Sequence, residues 1–228
     1  MEWDWQYSGD IMPDLLDGLK YTIIATLLGY VIALVLGLVW TLLRRAPNPV
    51  VRQTVRWVTE FIRCTPLIPQ LFFFYFVILP QVAPALHTVL PFIDFQEPIA
   101  AGVIALGVHY STYTAEVYRA GIADVPRGQW EACTALNLPR SRVWTDVILP
   151  QAIRKVIPTL GNYLIAMFKD SPMLLAIQVV ELLNASFQVG AKSLKYLEPI
   201  TIVGVLFVIV SVISSILVRR LERRYATV

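Results

Sequence analysis

Long uncharged stretches alternate with short basic segments along this chain. Residues 21–43 include no charged residue over 23 positions. An α-helix rises about 1.5 Å per residue, so this stretch exceeds the roughly 30 Å hydrocarbon core of a bilayer. Residues 200–218 are uncharged as well. The pattern predicts an all-α integral membrane protein.

We predict five transmembrane helices in a single transmembrane domain that covers residues 1–228. Their approximate bounds are 19–43, 56–79, 98–118, 154–180 and 199–218. Pro66 and Pro69 should bend the second helix, because each removes a backbone hydrogen bond.

Basic residues indicate the orientation of these helices, since Lys and Arg in short loops stay in the cytoplasm. They concentrate in residues 44–56, 119–155 and 219–224, whereas residues 1–19 contain five acidic residues and no basic one. We therefore expect the N-terminus outside and the C-terminus in the cytoplasm, which an odd number of crossings allows.

Composition agrees with this class. The 228 residues are 57% hydrophobic and 15% charged, and the mean hydropathy is +0.62. A soluble domain rarely buries so much apolar surface. Cys64 and Cys133 fall near the cytoplasmic side, where thiols stay reduced, so we expect neither a disulfide nor a metal site.

A basic loop over about residues 121–150 separates the third and fourth predicted crossings. Residues 129–136 should form a short helix that ends at Asn137 in a left-handed conformation, and Pro139 should open the next helix. From the residues alone, this loop either docks into a soluble partner or lies on lipid headgroups. A DNA-binding helix-turn-helix is disfavoured, because such a motif usually has a third helix and a separate domain.

The same loop resembles the EAA motif of ABC importer permeases. The corresponding positions are Glu131-Ala132-Cys133, Asn137, Val147 and Leu149-Pro150. Three of them depart from the motif: Cys133 replaces Ala, Asn137 replaces Gly and Val147 replaces Ile. Residues 61–76, 113–132 and 160–172 are also similar to the polar amino acid uptake permeases of the histidine, glutamine and arginine type. Residues 137–139, 169–172 and the basic tail look most like ectoine and hydroxyectoine permeases.

The resemblance implies a multi-pass subunit of the bacterial inner membrane that imports polar amino acids or a compatible solute such as ectoine. Its expected partners are a cytoplasmic ATPase dimer, a second permease chain, identical or related, and an extracytoplasmic solute-binding protein. The binding protein would meet the N-terminal stretch, residues 80–97 and residues 188–198. The ATPase groove would receive a coupling helix through Trp130, Glu131, Ala132, Asn137 and Leu138.

The chain itself is not expected to be an enzyme. It has no GxxxxGK[ST] phosphate loop, so ATP and Mg²⁺ would bind to the partner ATPase, and no cofactor is expected on this chain.

Polar residues inside the predicted crossings are candidates for a substrate path, because an ionised side chain at mid-bilayer costs about 2.5–3.5 kcal/mol on insertion scales. His109, Tyr113 and Glu116 share one helical face, while Asn162, Lys169 and Asp170 lie on another helix. For a zwitterionic solute, the predicted substrate-binding residues are His109, Asn162, Asp170 and Ser171.

Other interpretations of these residues stay open. Lys169 and Asp170 could neutralise each other, and His109 could be a packed interhelical donor. Glu60 with Arg63, and Glu116 with Arg119, have the i, i+3 spacing of internal ion pairs. The chain could instead be an ion-coupled secondary transporter that uses His109, Lys169 and Asp170 as a relay, or a scaffold that recruits a soluble partner without transport.

Overall fold

The structure is a computed structural model that describes residues 3–89, 91, 94–95 and 97–225. This part of the chain is helical and contains no β-strand. In chain order, the helices are α1 (Trp5–Leu43), α2 (Pro49–Cys64), α3 (Leu67–Phe73), α4 (Leu79–Val89), α5 (Pro98–Ala123), α6 (Arg127–Ala135), α7 (Arg140–Arg142), α8 (Leu149–Asp170), α9 (Leu182–Ser193) and α10 (Leu197–Tyr225). Phe74–Ile78 and Val143–Ile148 are π-helical, and Ser171–Ile177 is a 3₁₀-helix.

Three helices in the described residues are long and apolar enough to cross a membrane: Trp5–Leu43, Leu67–Ala85 and Leu197–Arg223. A fourth candidate is the pair Arg140–Ile177 and Leu182–Ser193, which meet at a bend of 48°. Helix α5 is not among these candidates, because its second half is rich in hydroxyl, aromatic and charged residues. The count of five crossings therefore remains a prediction.

The second predicted crossing, over residues 56–79, includes a break in the chain's helical path. Helix α2 ends at Cys64, and Thr65 is extended, as expected for a residue before proline. The side-chain amide of Gln70 donates to the carbonyls of Ile62 at 2.5 Å and Thr65 at 2.9 Å. The helix of crossing length thus runs over Leu67–Ala85, and the amphipathic helix α2 precedes it.

Helices α1 and α5 pack closely because small residues lie at their contact. A Cβ added to Gly37 would overlap Thr114 Oγ1 and would lie 3.0 Å from the Ser111 carbonyl oxygen. The Thr114 hydroxyl donates to the Ala33 carbonyl at 2.7 Å, and Trp40 Nε1 donates to Ser111 Oγ at 2.9 Å. This close approach holds the polar face of α5 at a fixed position inside the bundle.

Gly37→Ala is expected to destabilise the protein by about 1–3 kcal/mol, the usual cost of overpacking. Gly204→Ala provides the matched control, since a Cβ added there meets no atom within 4 Å. In a helix that control should leave stability unchanged or raise it, because alanine lowers the conformational entropy of the unfolded chain. Thermal unfolding of both variants in mild detergent checks the prediction, and equal midpoints for the two would contradict it.

Candidate functional site

The loop after α5 folds into a short helix that ends in a left-handed turn. Helix α6 begins at Arg127 and ends at Ala135, and Asn137 follows with φ of 47°. The Leu138 amide donates to the Cys133 carbonyl at 3.1 Å, and the Asn137 amide donates to Thr134 at 3.0 Å. These two bonds form a Schellman motif, so the predicted left-handed conformation of Asn137 is confirmed.

The loop exposes some of the predicted coupling residues and packs others inward. Glu131, Ala132 and Asn137 are exposed, whereas Trp130 and Leu138 are half-buried. Cys133, which lies between these residues, is only 4% exposed and packs inside the loop. The Trp130 ring contacts Trp144 edge-on, with ring centroids 5.4 Å apart.

Asn137→Val is expected to destabilise this turn, because a side chain with Cβ branching strains a left-handed backbone by about 1–2 kcal/mol. Asn137→Gly should leave the turn intact, since glycine adopts positive φ without that strain. Limited proteolysis of the membrane-embedded protein measures the effect: cleavage within residues 127–142 should be faster in the valine variant. Equal cleavage rates for both variants would contradict the prediction.

A group of charged residues joins α1, α2 and α5 next to this loop, and we call it the Glu116 cluster. Glu116 pairs with Arg44, lies 2.7 Å from Arg119 Nε and lies 3.6 Å from Arg63 Nη1. Arg63 also pairs with Glu60 at 2.7 Å. Both predicted i, i+3 pairs are therefore confirmed, and the contacts of Arg44 and Arg63 extend them across three helices.

A second polar group lies deeper in the bundle and consists of His109, Gln70, Tyr110, Tyr113 and Asp170. His109 Nδ1 and Gln70 Oε1 are 2.8 Å apart, and the Tyr110 hydroxyl donates to Asp170 Oδ2 at 2.6 Å. The His109 and Tyr113 ring centroids are 5.3 Å apart. His109 and Tyr110 are almost fully buried, while Asp170 is partly exposed.

The predicted shared face on α5 is confirmed. His109 contacts Gln70, the Tyr113 hydroxyl lies 3.5 Å from the Arg63 carbonyl oxygen, and Glu116 lies beside the Arg63 guanidinium. All three side chains thus point toward α2 and the start of α3.

The residues predicted on the other helix do not all meet this group. Ser171 is fully buried, and its hydroxyl donates to the Phe168 carbonyl at 2.8 Å. Asn162 is exposed and lies 3.4 Å from Glu222 Oε1 of α10, about 12 Å along the helix from Asp170. Only His109 and Asp170 among the four predicted substrate residues therefore contact the tyrosines of this group.

The structure also bears on the proposed neutralisation of Asp170. Within the described residues, no ion pair joins Lys169 to Asp170: Lys169 is exposed, and Asp170 accepts a hydrogen bond from Tyr110. Three residues at this group were not predicted from the sequence: Gln70, Tyr110 and the nearby Tyr163, whose ring centroid lies 5.6 Å from that of Tyr113. The sequence does offer one signal for Gln70: it is a single side-chain amide in an apolar stretch, between Pro69 and Pro80.

At the opposite end of α1, two of the three predicted outer segments lie together. Lys195 Nζ is 2.8 Å from Asp4 Oδ2, and the Asp4 amide donates to Glu198 Oε1 at 3.1 Å. The Lys195 ammonium lowers the pKa of the Asp4 carboxyl, chiefly through the hydrogen bond that Lys195 Nζ donates to Asp4 Oδ2. The third segment, residues 80–97, falls partly outside the described residues.

Helices of membrane-crossing length, a buried polar group between them and a helix-turn-helix loop at one end define a polytopic membrane protein of the transport-permease class. The chain belongs to the family of binding-protein-dependent transport system inner membrane components, whose family model matches residues 25–227. This assignment places it in the inner membrane and agrees with the predicted permease family.

Named relatives match almost the whole chain. It is 44% identical over 216 residues to the probable amino-acid ABC transporter permease protein y4tG of Sinorhizobium fredii (strain NBRC 101917 / NGR234), covering 93% of this chain and 87% of that one. It is 32% identical to the glutamine transport system permease protein GlnP of Escherichia coli (strain K12), covering 98% of each. A crystal structure of an amino acid ABC transporter with histidines aligns with a TM-score of 0.87 at 30% identity, covering 98% of this chain and all of that one.

Proposed function

We propose that this chain is the membrane-spanning permease subunit of an ATP-driven importer for polar amino acids. The observation that carries the proposal is the similarity over more than nine tenths of the chain to permeases named for amino-acid transport. A compatible solute such as ectoine is the finer substrate proposal, which rests on the resemblance of residues 137–139 and 169–172.

In this proposal, α6 is the coupling helix that docks into a cytoplasmic ATPase dimer. Its support is geometric: the Schellman motif at Asn137 fixes the end of the helix, and Glu131 and Ala132 stay exposed. ATP and Mg²⁺ bind to the partner. Closure of the ATPase dimer moves α6 and switches the permease between its inward-facing and outward-facing states.

Two permease chains enclose the path, and each contributes five crossings with its N-terminus outside. The solute-binding protein docks on the outer end, where Asp4 and Lys195 join the N-terminal segment to the α9–α10 connection. The subunit composition of the isolated complex decides whether the second permease chain is a copy of this chain or a related protein.

The substrate site in this proposal centres on Asp170 and His109. The Asp170 carboxylate is suited to bind the cationic amino group of an amino acid substrate. The His109 imidazole and the neighbouring tyrosine hydroxyls can donate hydrogen bonds to the carboxylate of that substrate. Asn162 and Ser171 remain predicted contributors, but their present partners are Glu222 and the Phe168 carbonyl. They would have to change partners to reach the substrate.

A pull-down from native membranes followed by reconstitution tests the proposal. The tagged chain should co-purify with a phosphate-loop ATPase, and proteoliposomes of that complex should take up a labelled polar amino acid only with MgATP and binding protein. Uptake that follows an ion gradient without an ATPase would establish the secondary-transporter alternative. Partner binding without any ATP-dependent uptake would establish the scaffold alternative.

A further inference from the structure

Two adjacent arginines after α1 contact two different functional regions. Arg45 lies over the Trp144 ring, with the guanidinium carbon 5.0 Å from the ring centroid. Its neighbour Arg44 pairs with Glu116 and with the Thr59 hydroxyl. One short turn therefore contacts the loop over residues 121–150 through Arg45 and the Glu116 cluster through Arg44.

On the loop side, Trp144 is tied directly to the proposed coupling helix. Trp130, the residue before Glu131, contacts Trp144 edge-on at 5.4 Å. Both rings pack against a small buried core of Val125, Ile148 and Ala152. Trp144 itself lies in the π-helix Val143–Ile148, a form that is frequent at functional sites. Any displacement of α6 therefore moves a ring against which Arg45 rests.

The turn that carries both arginines is short and hydrogen-bonded to α1. The Arg44 amide donates to Trp40 at 2.9 Å, and the Arg45 and Ala46 amides donate to Leu42 and Leu43 at 3.0 Å. Because the backbone amides of this turn are paired, the turn is held to the end of α1 and carries both arginines as one backbone unit. A displacement of this turn therefore moves Arg44 and Arg45 together.

On the other side, Arg44 reaches two helices at once. Glu116 belongs to α5 and Thr59 to α2, and Thr59 is almost fully buried. The same Glu116 carboxylate also meets Arg63 and Arg119, so α1, α2 and α5 share one anion. A change in the position of Arg44 therefore changes the ion pairs that the Glu116 carboxylate makes with Arg44, Arg63 and Arg119.

We propose that Arg44 and Arg45 form a positioning link, called here the arginine link, which transmits displacement of α6 through Trp144 to the cytoplasmic ends of α2 and α5. The inference rests on the proposed function, because it assumes that α6 is displaced by an ATPase. It assigns Arg45 no contact with ATPase or substrate: Arg45 acts through Trp144 on one side and through Arg44 on the other.

The test measures substrate molecules taken up per ATP hydrolysed in proteoliposomes of the complete complex. Arg45→Gln should lower this ratio about two- to fivefold, the factor that corresponds to an exposed cation–π contact. Arg45→Lys and Trp144→Phe should largely preserve the ratio, since each keeps a cation over an aromatic ring. The matched control Arg52→Gln removes an exposed arginine of α2 and should leave the ratio unchanged.

A double variant tests whether Arg45 affects the uptake ratio through its contact with Trp144 or independently of that contact. If the link acts through the Arg45–Trp144 contact, Arg45→Gln combined with Trp144→Leu should lose little more than Trp144→Leu alone. The link would be overturned, and the proposed function left intact, by either of two results: the fold losses of the two single variants multiply in the double variant, or Arg45→Gln gives the same ratio as Arg52→Gln.

ATPase co-purification should be normal in Arg45→Gln, and loss of that association would also overturn the proposed role. Absence of ATP-driven uptake by the unmodified complex would instead overturn the proposed function, and the link with it.

Discussion

Glu131→Lys is expected to abolish ATP-driven uptake while the chain still folds and inserts. Glu131 is exposed on α6, and no hydrogen bond or ion pair of its side chain is found within the described residues. Reversing its charge should therefore cost little inside the chain itself. At a docked interface, removing a charged partner costs at least about 2 kcal/mol, so association with the ATPase should weaken by at least about thirtyfold.

The measurement is co-purification of the ATPase together with MgATP-dependent uptake, beside membrane insertion of the variant. Asp146→Lys makes the same charge change at an exposed position of the same loop but outside α6, so it controls for net charge. Glu131→Gln should give an intermediate result, because it keeps the shape and loses only the charge. Normal association and normal uptake in Glu131→Lys would remove Glu131 from the mechanism.

Local features of this protein could be predicted from sequence because their causes are local. Asn137 adopts positive φ because a short helix must end between residues 129 and 139, and asparagine tolerates that conformation. The i, i+3 pairs of Glu60 with Arg63 and Glu116 with Arg119 need only the helical period. The class of protein followed equally from uncharged stretches of crossing length.

Contacts between distant segments could not be predicted in this way. Arg45 over Trp144 depends on how the end of α1 packs against the π-helix Val143–Ile148, and Gln70 beside His109 depends on how α3 packs against α5. Neither contact follows from the local periodicity of the sequence. The position of the apolar helix after α2 was missed for a different reason: residues 56–64 are amphipathic, and the uncharged run does not show that Thr65 ends a helix. Ser171 was assigned to the substrate site by residue type, whereas the 3₁₀-helix buries it.

Asp170→Asn should reduce uptake at limiting substrate by at least about tenfold without loss of ATPase association. Asparagine fills the same volume and can still accept the hydrogen bond that Tyr110 donates at 2.6 Å, so the fold should be preserved. What the variant lacks is the charge, and a hydrogen bond to a charged group is worth about 1.5–3 kcal/mol. The effect should therefore appear as a raised KM for an amino acid whose cationic group meets this carboxylate.

Two further variants distinguish substrate binding from charge balance. Tyr110→Phe removes the hydroxyl that orients Asp170 and should raise KM less than Asp170→Asn does, because the charge remains. Lys169→Gln combined with Asp170→Asn tests the neutralisation alternative, since it removes both neighbouring charges. If Asp170 binds the substrate, the double variant should remain as impaired as Asp170→Asn. Recovery of uptake in the double variant would assign the carboxylate to charge balance with Lys169, and unchanged uptake in Asp170→Asn would exclude Asp170 from the substrate site.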